Sequence, residues 1–230
     1  FNLMARRVKE MVHSKDQLLL DVSHELRSPL TRLKLSLEMI PETELKQSML
    51  QDVSEMETML AEILETERLR SGNGKLDFED FEPAALIREV LLKYQGRRPG
   101  VEFLEPSAAL TIKGDFTRIK TVVQNLIENA LKFSDKQKKP VEVSLEANDD
   151  VITLIVRDFG AGIPEEDQDK VFEPFYRVDK SRTKETGGYG LGLSLCREIV
   201  RAHGGDIRLE SQLGHGTRVL AEFPLKAPTN

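Results

Sequence analysis

The chain has 230 residues, of which 39% are hydrophobic and 31% are charged, and its formal net charge is −6. This length is enough for one or two domains with a buried core, and the acidic balance argues against nucleic-acid binding, which usually needs a basic face. Because Cys196 is the one cysteine, an internal disulfide is excluded, and the usage fits a reducing compartment. No apolar run of about 18 residues occurs, so the sequence predicts no membrane-spanning helix.

Two long helices are predicted before residue 71, in a region that contains no glycine and only two prolines, Pro29 and Pro41. We expect the PETE stretch at 41–44 to form the turn between them, with Pro41 suited to a first helical position. Apolar residues recur at steps of three and four, as in helices with one buried side. These positions are Val8, Met11, Leu18, Val22, Leu26, Leu33, Leu37 and Ile40, then Leu45, Met49, Val53, Met56, Leu60 and Ile63. Since a lone hairpin buries little, we expect two copies to form a four-helix bundle.

The stretch SGNG at 71–74 marks the predicted domain boundary. Beyond it, strand and helix patterns alternate, which predicts an α/β sandwich. Strands are expected at 75–81, 101–106, 110–114, 141–147, 151–160, 206–212 and 217–225. Helices are expected at 83–95, at 115–134 with Asp115 as the N-terminal cap, and at 191–204, with a polar, glycine-rich loop at 160–190.

The stretch SHELRSPL places an ionisable ring, His24, in the first predicted helix beside the acid Glu25. The helical period puts His24 on the side away from the apolar stripe, with Asp21 and Ser28 on the same face. Pro29 lacks the amide proton that a helix needs there, so we predict a bend just after His24. A plain surface histidine and a nucleophile activated by a carboxylate both fit this stretch.

Three further stretches have residues that suit a nucleotide. NLIENALKFS places Asn125, Asn129 and Lys132 on one helix face, where carboxamide oxygens can ligate Mg²⁺ and the ammonium can meet a phosphate. In DFGAGIP, Asp158 follows a predicted strand and can accept a hydrogen bond from an exocyclic amine. GGYGLGL opens a helix whose first amides can face an anion. Each stretch also fits a purely structural interpretation. NLIENALKFS could be a solvated helix face and DFGAGIP an ordinary glycine turn. GHGT at 214–217 could be only a hairpin turn.

The order along the chain is SHELRSPL, NLIENALKFS, DFGAGIP, FEPFYR, GGYGLGL and GHGT. Together these stretches resemble the transmitter region of a two-component sensor histidine kinase, over nearly the whole chain. The resemblance implies an all-α dimeric helical hairpin followed by an α/β sandwich ATP-binding domain of the gyrase, Hsp90 and histidine kinase superfamily. Residues 1–11 resemble the end of a HAMP signalling linker, residues 12–70 a dimerisation and histidine phosphotransfer domain, and residues 71–230 a catalytic ATP-binding domain.

The resemblance also implies a reaction, its cofactors and its partner. ATP with Mg²⁺ would phosphorylate His24, with Glu25 as acid/base partner, and the phosphoryl group would pass to an aspartate of a response regulator receiver domain. Asn129 would ligate the metal, and Ser28 stands where relatives more often carry Thr or Asn for dephosphorylating the regulator. The residues implied to bind the nucleotide are Asn125, Asn129, Lys132, Phe133, Asp158, Gly160, Gly162, Ile163, Phe172, Phe175, Arg177, Gly188, Tyr189, Gly190, Leu191, Gly192 and Thr217.

Two rival functions stay open at this point. An ATP hydrolase of the same superfamily resembles the kinases but carries a glutamate where Asn125 stands, and a carboxamide cannot act as that base. A non-catalytic dimer scaffold is the second rival, and the intact set of motifs argues against it. His13, His203 and His215 show no metal-type clustering, so we interpret them as structural or surface residues and expect no metal other than Mg²⁺.

The amino-terminal stretch FNLMARRVKEMV is helical in pattern from its first residue and has neither a capping residue nor an initiator Met. No signal peptide is visible in it. We therefore expect a soluble fragment of a protein that is anchored at the cytoplasmic side of the inner membrane through a missing N-terminal part.

Overall fold

The computed structural model describes residues 22, 25–106, 108–135, 139–178 and 189–225. The chain divides into two compact units, Phe1–Gly74 and Lys75–Asn230. Within the described ranges, no helix combines the length and the apolar character that crossing a bilayer requires. Residues 1–21, His24 and Gly188 lie outside the described residues, so the predictions made for them are not addressed by the structure.

The first unit is a helical hairpin of α1, residues 25–38, and α2, Glu44–Arg70. Thr43 caps α2, because its hydroxyl accepts a hydrogen bond of 3.1 Å from the amide of Lys46. Pro41 therefore precedes the helix rather than opening it, which corrects the predicted start. At the other end, the Gly74 amide donates to the Arg68 carbonyl at 2.9 Å, so α2 ends in the SGNG stretch as predicted.

One apolar cluster holds the two helices of the hairpin together. Leu30, Leu37 and Val53 are buried in it, and Leu50 and Leu60 pack against them. The predicted stripes omitted Leu30, which lies one helical turn after Leu26. Other stripe positions stay exposed: Val22 43%, Leu26 46%, Leu33 42%, Ile40 46%, Leu45 70%, Met49 37% and Met56 50%. The hairpin thus covers only part of each apolar stripe.

The second unit consists of two sheets and a layer of helices. The strands are β1 Glu79–Phe81, β2 Val101–Leu104, β3 Ile112–Gly114, β4 Val141–Ala147, β5 Val151–Arg157, β6 Asp206–Gln212 and β7 Gly216–Pro224. The helices are α3 Pro83–Leu91, α4 Phe116–Phe133, α5 Glu165–Gln168 and α6 Gly192–Ala202, and 3₁₀ turns occur at Leu92–Tyr94 and Lys170–Phe172. The larger sheet has the order β2-β4-β5-β7-β6, in which only β2 and β4 are parallel, and β1 pairs with β3 separately.

The larger sheet has one apolar and one charged face, because successive strand residues point to opposite sides. Val143 and Val156 are paired across β4 and β5 and are buried. One position along, Glu142 pairs with Arg157 and their side chains lie 3.8 Å apart on the opposite face. Helices α4 and α6 pack against each other and against the sheet. The predicted helical hairpin followed by an α/β sandwich is therefore confirmed.

Two stretches differ from their predicted structure. The strand predicted for 75–81 shortens to β1, because the amide of Asp77 donates to the Asp115 carboxylate at 3.1 Å instead of to a neighbouring strand. The loop predicted for 160–190 contains α5, whose first turn carries three acids where the helix dipole favours negative charge.

Candidate functional site

A row of polar residues runs along α4. Asp115 starts this helix, because its carboxylate accepts a hydrogen bond of 3.0 Å from the amide of Arg118. Asn125, Asn129 and Lys132 follow at helical spacing and are half-buried, whereas the apolar side of α4 is fully buried. The structure therefore places the three residues of NLIENALKFS on one partly accessible side of a well-anchored helix.

The carboxamide of Asn125 lies against the first residue of α6. A Cβ on Gly192 would be 3.4 Å from Asn125 Cγ. The amide nitrogen Nδ2 of Asn125 is buried, and the described residues offer it no acceptor. An unpaired buried N–H costs about 1–3 kcal/mol, and the first amides of α6 also lack intrahelical partners. This corner between α4 and α6 therefore suits an anionic ligand.

Asp158 follows the last residue of β5 and is 6% exposed. Its own amide donates to the Thr217 carbonyl at 2.8 Å, and its carboxylate oxygen Oδ1 accepts from the Gly160 amide at 2.8 Å. Burial raises the pKa of the Asp158 carboxyl, and bonds from the Gly160 and Thr217 backbone offset this only in part. The site thus holds a buried acceptor next to β7.

The two glycines of DFGAGIP are needed for close backbone contact. A Cβ on Gly160 would lie 2.0 Å from the Phe133 carbonyl oxygen at the end of α4. Gly162 has a φ of +73°, and its Cβ would lie 2.2 Å from the Gln212 carbonyl oxygen. The resemblance implies that these glycines make room for a flat ligand, whereas the space beside each is filled by the chain's own backbone.

A hydrogen-bond network around Ser211 supports this loop. The Ile163 amide donates to Ser211 Oγ at 2.8 Å, and the Ser211 hydroxyl donates to the Gly216 carbonyl at 2.9 Å. Gln168 Nε2 donates to the carbonyls of Ile163 and Ser211 at 3.1 and 2.9 Å. Ser211 and Gln168 are not predictable from the sequence, because a single serine in a strand and a single glutamine in a loop form no pattern.

The FEPFYR stretch contacts the glycine-rich stretch before α6. Phe172 is buried, whereas Phe175 is exposed and has a φ of 64°, which is uncommon for a residue with a side chain. The Phe175 amide donates to the Gly190 carbonyl at 3.0 Å, and Gly190 has a φ of 75°. Leu191 is buried and its carbonyl accepts from the Ser194 hydroxyl, so the start of α6 is fixed. Tyr189, in contrast, is exposed.

Two cationic side chains, Lys132 and Arg177, lie close enough together to influence each other. Burial lowers the pKa of Lys132, and the positive charge of Arg177 lowers it further. The Lys132 ammonium also lies 4.8 Å from the ring centre of Phe133, which is exposed. Two cations close enough to influence each other favour a ligand with several negative charges.

The residues present fit a magnesium ion that arrives with a nucleotide. In the described ranges, no group of three His, Cys, Asp or Glu side chains could hold a metal ion. Mg²⁺ usually takes one or two protein ligands and completes its shell with water and substrate phosphates. The half-buried carboxamide of Asn129 can supply one oxygen ligand in such an arrangement.

In the helical unit, the structure describes two of the three predicted catalytic residues. Glu25 and Ser28 are exposed on α1. The third, His24, lies outside the described residues. Helix α1 continues through Pro29, and the predicted bend there stays a prediction.

Two family models match the chain. One, described as "His Kinase A (phospho-acceptor) domain", matches residues 14–72, which include both helices of the hairpin. The other, described as "Histidine kinase-, DNA gyrase B-, and HSP90-like ATPase", matches residues 114–227, which include α4, Asp158 and α6.

Curated relatives match almost the whole chain. Sensor histidine kinase WalK of Bacillus subtilis (strain 168) is 32% identical over 232 residues, which are 95% of this chain and 38% of the relative. Sensor histidine kinase CpxA of Escherichia coli (strain K12) is 30% identical over 235 residues, which are 98% of this chain and 50% of the relative. The chain thus spans half the length of these relatives or less.

Solved structures resemble the fold as well. Full-length ShkA in complex with AMPPNP is 25% identical, with a TM-score of 0.74 over 93% of this chain and 47% of that chain. The catalytic domain of histidine kinase ThkA, in a nucleotide-free form, is 31% identical, with a TM-score of 0.56 over 65% of this chain and 96% of that chain. Sequence and structure therefore indicate the same class of protein as the motifs.

Proposed function

Since this chain belongs to the two-component sensor histidine kinases, a family of ATP-binding transferases in signal transduction, we propose that it phosphorylates its own His24 with ATP. The phosphoryl group then passes to an aspartate of a response regulator. The chain corresponds to the transmitter region of these kinases. Anchoring of the protein at the inner membrane stays a prediction.

The proposal rests on the corner between α4 and α6. The buried Nδ2 of Asn125, which has no acceptor among the described residues, lies near the first residue of α6 there, and Asn129 and Lys132 continue the same row. This corner offers donors and a cation to an anion, which suits the phosphates of a nucleotide. Asn129 contributes a ligand for the accompanying Mg²⁺, and Arg177 adds charge that attracts the γ-phosphate.

The base binds beside Asp158. The buried carboxylate accepts a hydrogen bond from the exocyclic amine of adenine, and Thr217 supports it from the neighbouring strand. Because both side chains are nearly inaccessible, little water competes for these hydrogen bonds. The site therefore binds the base at one end and the phosphates at the other.

In the transfer step, the His24 ring attacks the γ-phosphorus. A nitrogen lone pair forms the N–P bond while the bond from the γ-phosphorus to the bridging oxygen breaks, and ADP leaves. The ring's other nitrogen releases its proton to the exposed carboxylate of Glu25, its neighbour in sequence. Ser28, exposed one turn further, orients a water molecule when the regulator is dephosphorylated.

Dimerisation completes the helical domain. On each helix the exposed residues of the predicted apolar stripe, such as Leu33 on α1 and Met56 on α2, lie beside the buried ones rather than opposite them. A contiguous apolar surface of this kind marks an interaction face. A second copy of the hairpin covers it and forms a four-helix bundle.

Asn125 separates the kinase from the hydrolase. ATP hydrolysis needs a base that activates water, and a carboxamide has no basic electron pair for that task. With Asn125 at this position, the γ-phosphoryl group has no activated water as acceptor and passes to the histidine.

The fate of the γ-phosphoryl group tests the proposal. After incubation of the full chain with γ-labelled ATP and Mg²⁺, we expect label on the protein. Free labelled phosphate without labelled protein would indicate a hydrolase, and unchanged ATP a scaffold. Asn129→Ala should abolish labelling through lost metal ligation, whereas Asn148→Ala, in the exposed β4–β5 turn, should leave it intact.

A further inference from the structure

Three side chains form a row across the sheet next to the proposed adenine site. Arg157 pairs with Arg218 in the β5–β7 register, so Asp158 lies opposite Thr217 one position further along. The hydrogen bond from the Asp158 amide to the Thr217 carbonyl continues this ladder. Ser211 pairs with Thr217 in the β6–β7 register. Directly opposite residues point to the same face, so these three side chains are neighbours.

The single proton of the Ser211 hydroxyl has a fixed direction. The Gly216 carbonyl, 2.9 Å from Ser211 Oγ, can only accept, so the Ser211 proton points to it. The amide of Ile163 can only donate, and it occupies one lone pair of Ser211 Oγ. Thr217 Oγ1 lies 2.9 Å from the same oxygen. Because the Ser211 proton is already engaged, the proton in this last bond belongs to Thr217.

Thr217 therefore presents lone pairs, and no proton, to a ligand. The Asp158 carboxylate presents the same chemistry, since it can only accept and its two oxygens hold more lone pairs than the backbone amides of Gly160 and Thr217 occupy. Two acceptors side by side match an amino group, which has two N–H bonds. A ring carbonyl in place of the amino group could not donate a hydrogen bond to either acceptor. Since Asp158 and Thr217 are only 6% and 8% exposed, little water could replace the lost hydrogen bonds.

On the basis of the proposed nucleotide site, we propose that Ser211 is a positioning residue that keeps Thr217 a hydrogen-bond acceptor. Through Thr217, it makes the site select a nucleobase with an exocyclic amine over one with a carbonyl at the same ring position. Ser211 does not touch the base, and its effect depends on the Thr217 hydroxyl.

Calorimetric titration of the full chain with ADP and with IDP measures this selection, because the two bases differ by amine and carbonyl at that position. Wild-type protein should prefer ADP by about a hundredfold or more. In Ser211→Ala the Thr217 hydroxyl is free to rotate and donate to the carbonyl, so the preference should fall about tenfold. Ser211→Thr retains a hydroxyl and should restore the preference.

Two further variants distinguish the positioning of Thr217 by Ser211 from a general loosening of the loop that contains Ile163. Gln168→Ala removes bonds to the same loop without touching the Thr217 hydroxyl, so both nucleotides should bind more weakly and their ratio should persist. In a Thr217→Val background, Ser211→Ala should leave the ratio unchanged. A ratio that persists in Ser211→Ala, or that falls equally in Gln168→Ala, would overturn the positioning role. Wild-type protein that binds no ADP would instead overturn the proposed function.

Discussion

The imidazole of His203 accepts a hydrogen bond from the backbone amide of Asp115, with 3.0 Å between Nε2 and N. Its other nitrogen, Nδ1, lies 2.7 Å from the Ile199 carbonyl, which can only accept, so Nδ1 carries the proton. The ring is 3% exposed and packs edge-on against Phe78 and Phe223. A neutral histidine of one tautomer thus joins the end of α6 to the cap of α4.

Acidification should destabilise the second unit through His203. Burial lowers the pKa of His203, as does the charge of Arg118, while the Ile199 bond and Asp115 act in the opposite direction. The unfolded ring takes up a proton below about pH 6.5 while the folded ring stays neutral. The contribution of neutral His203 to the free energy of unfolding is therefore fully present above that pH. It is lost as the pH falls towards the lowered pKa of the folded His203. Urea unfolding at neutral and at mildly acidic pH measures the loss.

His203→Phe provides the control for this pH dependence. It fills the space but leaves the Asp115 amide unpaired, so it should lower the free energy of unfolding by about 1–3 kcal/mol at neutral pH. It should also lose part of the wild-type dependence on pH. An unchanged dependence would mean that other groups cause the acid sensitivity.

Asp158→Asn should stabilise the ligand-free chain at neutral pH and weaken ADP binding by about tenfold or more. Burial raises the pKa of Asp158, so the folded state binds this proton more tightly than the unfolded state does. The resulting contribution to the free energy of unfolding is present at low pH and is lost as the pH rises through the pKa of the folded Asp158. A neutral carboxamide removes this cost and should raise the melting temperature, by about 2–4 °C for each kcal/mol released. The exposed Asp150→Asn should change neither quantity. Equal ADP affinity in Asp158→Asn would place the base elsewhere.

Gly160 and Gly192 should respond in opposite ways to alanine. The new Cβ at Gly160 would meet the Phe133 carbonyl oxygen at 2.0 Å, so backbone must move and stability should fall by about 3 kcal/mol or more. At Gly192 the nearest atom is 3.4 Å away, and alanine in a helix should be neutral or stabilising by up to about 1 kcal/mol. Chemical denaturation of both variants checks this, and a stable Gly160→Ala would show that the close contact is dispensable.

Leu33 and Leu35 distinguish the proposed dimer face from the rest of α1. Leu33 continues the apolar stripe, whereas Leu35, two residues on, points to nearly the opposite side of the helix. Leu33→Asp should convert the full chain from dimer to monomer in sedimentation experiments. Leu35→Asp should remain dimeric although Leu35 is the more exposed, at 62% against 42%. The same oligomeric state in both variants would contradict the four-helix bundle.

Local patterns predicted the elements of the fold, because capping and periodicity depend on neighbours in sequence. Asp115 caps α4 as predicted, and the β4–β5 and β6–β7 hairpins have short turns that bring their strands together. The pairing of β2 with β4 and of β5 with β7 joins strands that are far apart in the chain. Such pairing depends on the packing of the whole sheet, so periodicity along one strand does not reveal it.

The candidate site was predictable only where residues form a motif. Asn125, Asn129 and Asp158 stand at recognisable spacings, and the structure anchors each of them on α4 or at the end of β5. Ser211 became visible only through its three hydrogen-bond partners, Ile163, Gly216 and Thr217, which come from two distant stretches of the chain. Leu30 was missed because its burial depends on which part of the apolar stripe α2 covers.

Locating the labelled phosphoryl group on the protein distinguishes His24 from any other acceptor. After incubation of the full chain with γ-labelled ATP and Mg²⁺, we predict a label that is lost in acid and retained in alkali, as expected for a phosphoramidate. His24→Ala should carry no label while still binding ADP in calorimetry. Label that persists in His24→Ala would show that another residue accepts the phosphoryl group.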